Sequence, residues 1–226
     1  MRLVFEGFER AIDIEPGTTR ILEVENRRLF TRVCRTLMSG DRDAFEAFSV
    51  WDDEGGELNP SSAFLMVSDP LHFPWDDKRL GGNLPSVMEG LLYEDEEVRR
   101  EIEGLGRRLS GLVASLTYQV HGDYKFALEW GIRQYLKSFS FCVDRYEGDS
   151  FLESCISFLD FVADMGFKQA LVFVNLKSFL TKEDLTALYD RVFFLNLRVL
   201  MLESAHDEVY YRHEKKTWLD QHFLES

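Results

Sequence analysis

The stretch "ALVFVNLKSFLTKEDL", residues 170–185, joins a run of apolar and β-branched residues to the start of a helix. Thr181 followed by Asp184 is the pattern of a capped helix N-terminus, so the stretch predicts a strand, a short loop and a helix. In nucleotide-hydrolysing α/β proteins such a strand commonly ends in an Asp that helps to hold Mg²⁺. Here the residue is Asn175, an amide. The stretch therefore predicts an α/β fold and raises doubt about nucleotide chemistry.

The same alternation of strand and helix patterns occurs at both ends of the chain. Near the start, alternating apolar and polar residues predict short strands within residues 1–26, and Asn26 is a suitable cap for a helix. The last charged stretch, "HDEVYYRHEKK" at 206–216, is interpreted as a solvated tail. The other predicted elements are a helix over 27–38, strands over 45–49 and 62–68, a strand over 170–174, a helix over 182–193 and a strand over 197–203.

Long helical patterns fill the middle of the chain. A helix is predicted over 94–118, a second over 124–138, and a third that starts at the capping box of Ser150 and Glu153 and ends at Gly166. The first carries apolar residues four and three positions apart, which form a heptad seam: Val98, Ile102, Leu105, Leu109, Leu112 and Leu116. Such a seam packs either within its own domain or against another copy. The arginines on its flanks favour oligomerisation.

These patterns predict two domains from 226 residues. An α/β domain is formed by residues 1–72 plus 166–226, and a helical domain by residues 73–165 is inserted into it. The apolar runs are shorter than the ~18–20 residues that span a bilayer, so a cytoplasmic protein is expected. Three widely spaced cysteines form no C-x-x-C pair, and we interpret Cys34, Cys142 and Cys155 as small buried apolar residues.

The sequence lacks the motifs of the common catalytic and metal sites. It contains no Gly-Lys dipeptide and hence no P-loop, which argues against binding and hydrolysis of a nucleotide. The five histidines show no zinc-ligand spacing, and no Ser/His/Asp or Cys/His set can be assembled. From these absences we expect no hydrolysis of a nucleoside triphosphate.

The net charge of −14 argues against nucleic acid, but a local basic surface remains compatible with it. In "NRRLFTRVCRTL", residues 26–37, helical geometry places Arg28, Arg32 and Arg35 within about 60° of one another. The row has two interpretations: salt bridges to the many carboxylates, or contacts to a phosphate backbone. Further basic residues extend the same hypothesis: Lys125, Arg133, Lys137, Lys177 and Lys182.

Beyond these patterns, the chain resembles a known family, the small accessory protein of type II-A CRISPR spacer acquisition. The resemblance is carried by "LVFVNLKSFLTKEDLTALYDRVFFLNLRVLMLE", residues 171–203, above all by "FLTKEDL" and the closing "VLMLE". Further similar stretches follow in the family's order: residues 1–26, "SAFLMVSDPL" at 62–71, "EDEEVRREIEGLGRRLSGLV" at 94–113 and "GDSFLESC" at 148–155.

The resemblance implies a fold and a function. The fold is an α/β head domain related to P-loop ATPases but without their catalytic residues, with an inserted α-helical leg domain. The function is sequence-independent, non-enzymatic binding of linear double-stranded DNA ends by a ring-shaped homotetramer in the prokaryotic cytoplasm. The ring supports CRISPR adaptation, and thus antiviral defence, together with the adaptation integrase complex and the RNA-guided nuclease.

The resemblance also implies calcium as a cofactor, bound by acidic residues in the segment that matches 118–130. The acids in this segment of the chain are Asp123 and Glu129. The predicted DNA-binding residues are Arg28, Arg32, Arg35, Lys125, Arg133 and Lys137. The alternative is a protein-interaction scaffold of the adaptation complex, derived from an ATPase and without a direct role on DNA.

Overall fold

The structure, a computed structural model, describes residues 1–41, 45–81, 84–126, 129–143 and 150–221. It divides into two compact units. The sheet unit comprises Met1–Pro74 and Tyr146–Ser226, and the helical unit comprises Trp75–Arg145. The predicted helical domain, residues 73–165, is longer at both ends. Among the described residues, 73–74 and 150–165 belong to the sheet unit, and helix Phe151–Asp164 packs there against helix Lys182–Leu195.

Two sheets lie within the sheet unit. Their strands are β1 Arg2–Phe5, β2 Ile12–Asp13, β3 Thr18–Val24, β4 Phe48–Trp51, β5 Glu57–Leu58, β6 Phe64–Val67, β7 Ala170–Val174, β8 Arg198–Glu203 and β9 Glu214–Leu219. One sheet is antiparallel, in the order β2-β1-β4-β5. The other is parallel, in the order β6-β7-β8-β3-β9. The predicted mixed α/β fold is confirmed. The prediction of a solvated tail over 206–216 is wrong, because β9 begins within it at Glu214.

Three helices, α1, α7 and α8, begin at the caps that the sequence predicts. The helices are α1 Arg27–Ser39, α2 Pro60–Ala63, α3 Lys78–Gly81, α4 Leu84–Glu94, α5 Glu96–Ser115, α6 Ile132–Ser138, α7 Phe151–Asp164 and α8 Lys182–Leu195. The side chains of Asn26 and Ser150 accept bonds from first-turn amides, and Thr181 and Asp184 form the reciprocal capping box. The predicted helix over 124–138 is shorter, because Gly131, a poor helix former, precedes its first turn.

Both faces of the parallel sheet are covered, as is usual for strands with continuous apolar sequences. On one face Leu22 and Leu200 share a core cluster with Leu29 of α1 and with the antiparallel sheet. On the other face Tyr189 of α8 is fully buried, and its hydroxyl lies 3.8 Å from the sulfur of Met201. In the part of the chain that the structure describes, no helix has both the length and the apolar character required to cross a membrane.

The structure gives Asn175, which stands where nucleotide-hydrolysing proteins commonly have an Asp, a structural role. It adopts a left-handed conformation with φ of 53° directly after β7, a conformation that Asn tolerates better than most residues. Its backbone N–H donates to the backbone carbonyl of Leu202, and its side-chain oxygen accepts from the backbone N–H of Ser204 at 2.9 Å. The side chain therefore joins the carboxyl ends of β7 and β8.

Two of the three cysteines are buried, as predicted. Burial raises the pKa of the Cys34 thiol to about 11 and that of Cys155 to about 12, so both remain protonated at neutral pH. The prediction is wrong for Cys142, which is exposed. It follows α6 in a short irregular segment whose neighbours Phe139 and Phe141 are exposed as well.

Opposite outcomes are expected for two glycine substitutions in α5. A Cβ at Gly106 would lie 2.1 Å from the Trp130 ring, so Gly106→Ala displaces the ring and lowers the free energy of unfolding by about 1–3 kcal/mol. A Cβ at Gly111 meets nothing within 4 Å, so Gly111→Ala raises the free energy of unfolding by roughly 0.5–1 kcal/mol through helix propensity. Urea titration followed by circular dichroism measures both, and equal effects would contradict the packing of Trp130 on α5.

Candidate nucleic-acid interface

The arginine row of α1 is partly neutralised within the chain. Arg32 forms a salt bridge to Glu46, with Nε 2.8 Å from Oε1, and donates to the carbonyl of Phe45 at 2.8 Å. The guanidinium of Arg35 lies over the ring of Phe45, 4.1 Å from its centroid. Arg28 is exposed at the start of the helix. The salt-bridge interpretation therefore holds for Arg32, although all three arginines of the row are exposed to solvent.

The three predicted DNA-binding cations of the helical unit also differ in whether a carboxylate of the same chain pairs with them. Arg133 pairs with Glu89, whose Oε2 lies 2.6 Å from Nη2, and the hydrogen bond raises the pKa of Arg133 above its ordinary value. Lys125 lies exposed in the irregular segment after α5, and Lys137 lies exposed in the last turn of α6. These two ammonium groups are accessible to an external anion.

The two predicted calcium ligands line different clefts of the helical unit. Asp123 borders a cleft of about 1040 Å³ together with His121 and Tyr124. Glu129 borders a second cleft, of about 730 Å³, with Glu89 and Glu103. Calcium takes six to eight oxygen ligands. Among the described residues no group of three or more His, Cys, Asp or Glu side chains is placed to hold a metal ion. The described residues of one chain therefore do not form a calcium site by themselves, and calcium stays a prediction.

The heptad seam of α5 is exposed rather than packed inside the helical unit. Five of its six apolar residues expose between 43% and 60% of their surface: Val98, Leu105, Leu109, Leu112 and Leu116. Ile102, Leu105 and Leu109 line an apolar groove of about 330 Å³. Trp130 forms another wall of this groove and packs on Gly106. A row of leucines open to solvent is uncommon on a monomer and favours a protein partner.

A buried cluster of charged side chains, which sequence reasoning missed, lies in the sheet unit. Its centre is Glu23 of β3, whose side chain is fully buried. Oε1 of Glu23 lies 3.3 Å from Nζ of Lys177 and 3.7 Å from Nζ of Lys216, and Oε2 lies 2.7 Å from Nδ1 of His206. We call these four residues, together with Glu203, Asp207 and Glu214, the Glu23 cluster. Four of its members lie in the segment interpreted as a tail.

One signal in the sequence pointed to this cluster. Glu23 stands between the apolar residues of a strand, where a carboxylate needs a partner because burial of an isolated charge is costly. Its partners lie more than 150 residues away in the sequence, so local patterns do not identify them. Of the five histidines, His206 is thus part of the cluster, and His222 lies outside the described residues.

The pH dependence of stability is expected to change in Glu203→Gln. Burial raises the pKa of Glu203 from 4.5 to about 7, with Glu23 adding to the rise and Lys177 opposing it. The fold favours the neutral form of Glu203. Its contribution to stability is therefore fully present below about pH 4.5, where the carboxyl is protonated, and is lost as the pH rises through about 7. Above pH 7 the glutamine should raise the free energy of unfolding by up to about 3 kcal/mol, and near pH 5 by much less. Urea titrations at both pH values test this, with the exposed Glu208→Gln as the control.

Known proteins are similar to most of this chain. The model of the family described as CRISPR-associated protein (Cas_Csn2) matches residues 41–222. CRISPR-associated protein Csn2 of Streptococcus agalactiae is 22% identical over 183 residues, which cover 81% of this chain and 80% of that protein. The crystal structure of Stu0660 of Streptococcus thermophilus matches with a TM-score of 0.57 and 14% identity, covering 97% of this chain and 75% of that one.

The structural match concerns the fold and agrees with the mixed α/β architecture. The family model spans well over half of the chain, and its match confirms the resemblance first seen in residues 171–203. The chain therefore belongs to the Csn2 family of CRISPR-associated proteins.

Proposed function

We propose that this chain binds the ends of linear double-stranded DNA as a homotetrameric ring, independently of sequence and without enzymatic activity. Membership of the Csn2 family implies a role in CRISPR adaptation. The ring would perform that role in the prokaryotic cytoplasm with the integrase complex and the RNA-guided nuclease. Its fold would be a P-loop-ATPase-like head with an inserted helical leg, and it would use no nucleotide.

The exposed seam of α5 is the observation that carries this proposal. Leucines that repeat every three to four residues along a helix bury one another when a second copy supplies the same stripe. Self-association through identical surfaces generates closed symmetric assemblies, and a tetramer is one of the common forms. The apolar groove beside Trp130 offers a place for a side chain of the partner copy.

The DNA contacts of the proposal fall on the accessible cations. All six predicted cations are exposed, but Arg32, Arg35 and Arg133 are also engaged with groups of the same chain, which leaves Arg28, Lys125 and Lys137 as the main candidates. Ammonium and guanidinium groups bind phosphate oxygens without regard to sequence. With a net charge of −14, binding requires that these cations be concentrated on the surface that faces DNA.

In this proposal calcium binds only to the assembled protein, at a site that two copies share. Asp123 and Glu129 would need oxygen ligands from a second copy, since one chain does not supply a calcium-sized set among its described residues. An increase of the assembled fraction with calcium, abolished by Asp123→Asn and Glu129→Gln together, would support such a shared site. An unchanged mass would remove calcium from the proposal.

The alternative is an ATPase-derived scaffold that binds proteins of the adaptation complex and has no direct role on DNA. Two observations favour it: the acidic net charge, and the engagement of half of the predicted DNA-binding cations within the chain. The scaffold also accounts for the exposed seam, because a partner protein of another kind can cover it.

A comparison of two DNA forms separates the hypotheses. The purified protein, sized by light scattering, is mixed with linear and with covalently closed duplex of equal length and analysed by mobility shift. The proposed ring shifts the linear form alone, because DNA enters it by an end. Equal binding to both forms contradicts the ring, and binding to neither supports the scaffold.

Charge reversal of the accessible cations is expected to weaken DNA binding. In the double variant Lys125→Glu/Lys137→Glu, the slope of log affinity against log salt should fall by about 0.9 for each phosphate that the protein no longer neutralises. The control Lys78→Glu/Lys168→Glu changes the net charge equally at two other exposed lysines and should keep the wild-type slope. Equal weakening in both variants would show that the total charge, rather than these two positions, governs binding.

A further inference from the structure

The connection between β8 and β9 is unusual for parallel strands. Residues 204–213, which we call the strap, leave β8 at its carboxyl end and return to the amino end of β9, with β3 between the two strands. Such crossovers usually need a dozen or more residues and contain a helix. The strap has ten residues and no helix or strand. It is therefore a short irregular segment that crosses a face of the sheet.

The strap is held largely by side chains, many of them charged. Four of its backbone amides donate to side-chain oxygens, at distances between 2.9 and 3.4 Å: Ser204 to Asn175, Asp207 to Glu23, Val209 to Asp207, and Tyr211 to Glu214. From the sheet, the ammonium of Lys216 in β9 donates to the backbone carbonyl oxygens of Asp207 and Val209. A change in the charge of Glu23, Asp207 or Glu214 therefore acts directly on the backbone of the strap. Glu203 accepts from the backbone amide of Lys177 and acts on the strap through the pair of Lys177 with Asp207.

The face under the strap is incompletely satisfied. Strand alternation places Thr19 and Glu23 of β3 on the same face as Glu214 and Trp218 of β9. The imidazole of His206 stacks on the Trp218 indole at 4.2 Å. Three polar atoms on this face are buried without a hydrogen-bond partner among the described residues: Oγ1 of Thr19, Oε2 of Glu214 and Nε1 of Trp218. Buried unpaired polar atoms oppose burial, so water favours separation of the strap from the sheet.

We propose that the strap is a pH-sensitive cover, which opens locally from the face of β3 and β9 as the pH rises from mildly acidic to neutral, while the sheet stays folded. Opening frees the carboxyl end of the sheet around Glu23 and Lys177. In open α/β sheets this edge is where ligands bind. The strap thereby controls access to it.

The sign of the pH effect follows from the groups that face one another here. The buried carboxyls, Glu203 of β8 and Glu214 of β9, both have a raised pKa, mainly because of burial. The amide of Tyr211 and the ammonium of Lys216 favour the ionised form of Glu214, but burial outweighs them, so closure weakens as the two carboxyls ionise. The pKa of Asp207 is lowered and that of Lys177 raised, so their pair is maintained throughout this interval. The other titratable groups described on this face include Glu23 of β3, Lys216 of β9, and His206 and Tyr211 of the strap. Helix α8 on the same face adds Tyr189, Glu183 and Asp190, and Asp190 pairs with His213 of the strap.

Native-state hydrogen exchange on the full chain tests the proposal. Rates from about pH 5 to about pH 7.5 are divided by the intrinsic, base-catalysed rates to give opening constants for the amides of Ser204, Asp207, Val209 and Tyr211. These constants should exceed those of the β8 amides and rise at least about tenfold over this interval. Protection equal to that of β8, or opening constants that do not change with pH, would overturn the proposal.

Substitutions identify the titrating groups. In Glu203→Gln/Glu214→Gln the opening constants of the strap should lose their rise with pH, because amides do not ionise. Glu208 lies exposed on the strap itself, so Glu208→Gln should keep the wild-type rise. A rise that persists in the double variant, or that disappears in the control, contradicts the assignment. If the double variant does not fold, the wild-type series decides alone.

Discussion

Replacement of Glu23 by alanine is expected to lower the free energy of unfolding by about 3–5 kcal/mol at neutral pH. The carboxylate is fully buried and faces two lysines and His206. Its removal leaves the ammonium groups of Lys177 and Lys216 buried with fewer partners, and this penalty is larger than the net gain of an intact pair. Lys177 keeps Asp207 at 3.0 Å, which places the expected loss near the lower value.

Urea titration with the matched variant Glu208→Ala measures this effect. Glu208 carries the same charge but lies exposed on the strap, so its loss should change the free energy of unfolding by less than about 0.5 kcal/mol. Equal, small effects of the two variants would mean that water reaches the Glu23 carboxylate in solution. The cluster would then be a surface network rather than a buried one.

The double variant Leu105→Glu/Leu109→Glu is expected to reduce the mass of the assembly to that of a smaller species, down to the monomer. Both leucines expose more than half of their surface within one chain, so the fold of the monomer should persist. In an assembly through the seam, four added charges per pair of helices would be buried without partners. Light scattering measures the mass, and circular dichroism verifies the helix content.

Leu91→Glu is the control for the seam. Leu91 exposes 55% of its surface in α4, outside the seam, so the assembly should keep its mass in this variant. If the wild-type protein is itself a monomer at micromolar concentration, the ring is contradicted whatever the variants do. If the seam variant keeps the wild-type mass, self-association uses another surface.

Local patterns in the sequence predicted much of the fold. The caps at Asn26, Ser150 and Thr181, the strand at 170–174 and the helix after it are confirmed. Each of these is decided by residues within a few positions of one another, so one stretch of sequence contains the full signal. The heptad seam was visible for the same reason, and its exposure in the structure favours the oligomeric interpretation.

The features that were missed depend on residues far apart in the sequence. β9 carries Lys215 and Lys216, which are typical of solvated segments, and only the structure shows that Lys216 is buried against Glu23. The pairs Arg32 with Glu46 and Arg133 with Glu89 likewise required knowledge of which carboxylate lies nearby. A charge alone does not reveal whether its partner is water, a phosphate or another residue of the chain.

The position of β3 has a consequence for synthesis on the ribosome. β3, at residues 18–24, is flanked on both sides by strands from residues 198–203 and 214–219. At about 5–20 residues per second, roughly 10–40 s pass between the emergence of β3 and that of its partners. The helical unit is complete long before then, so it is the first part that can fold. Through this interval both edges of β3 remain available to chaperones and to unwanted strand pairing.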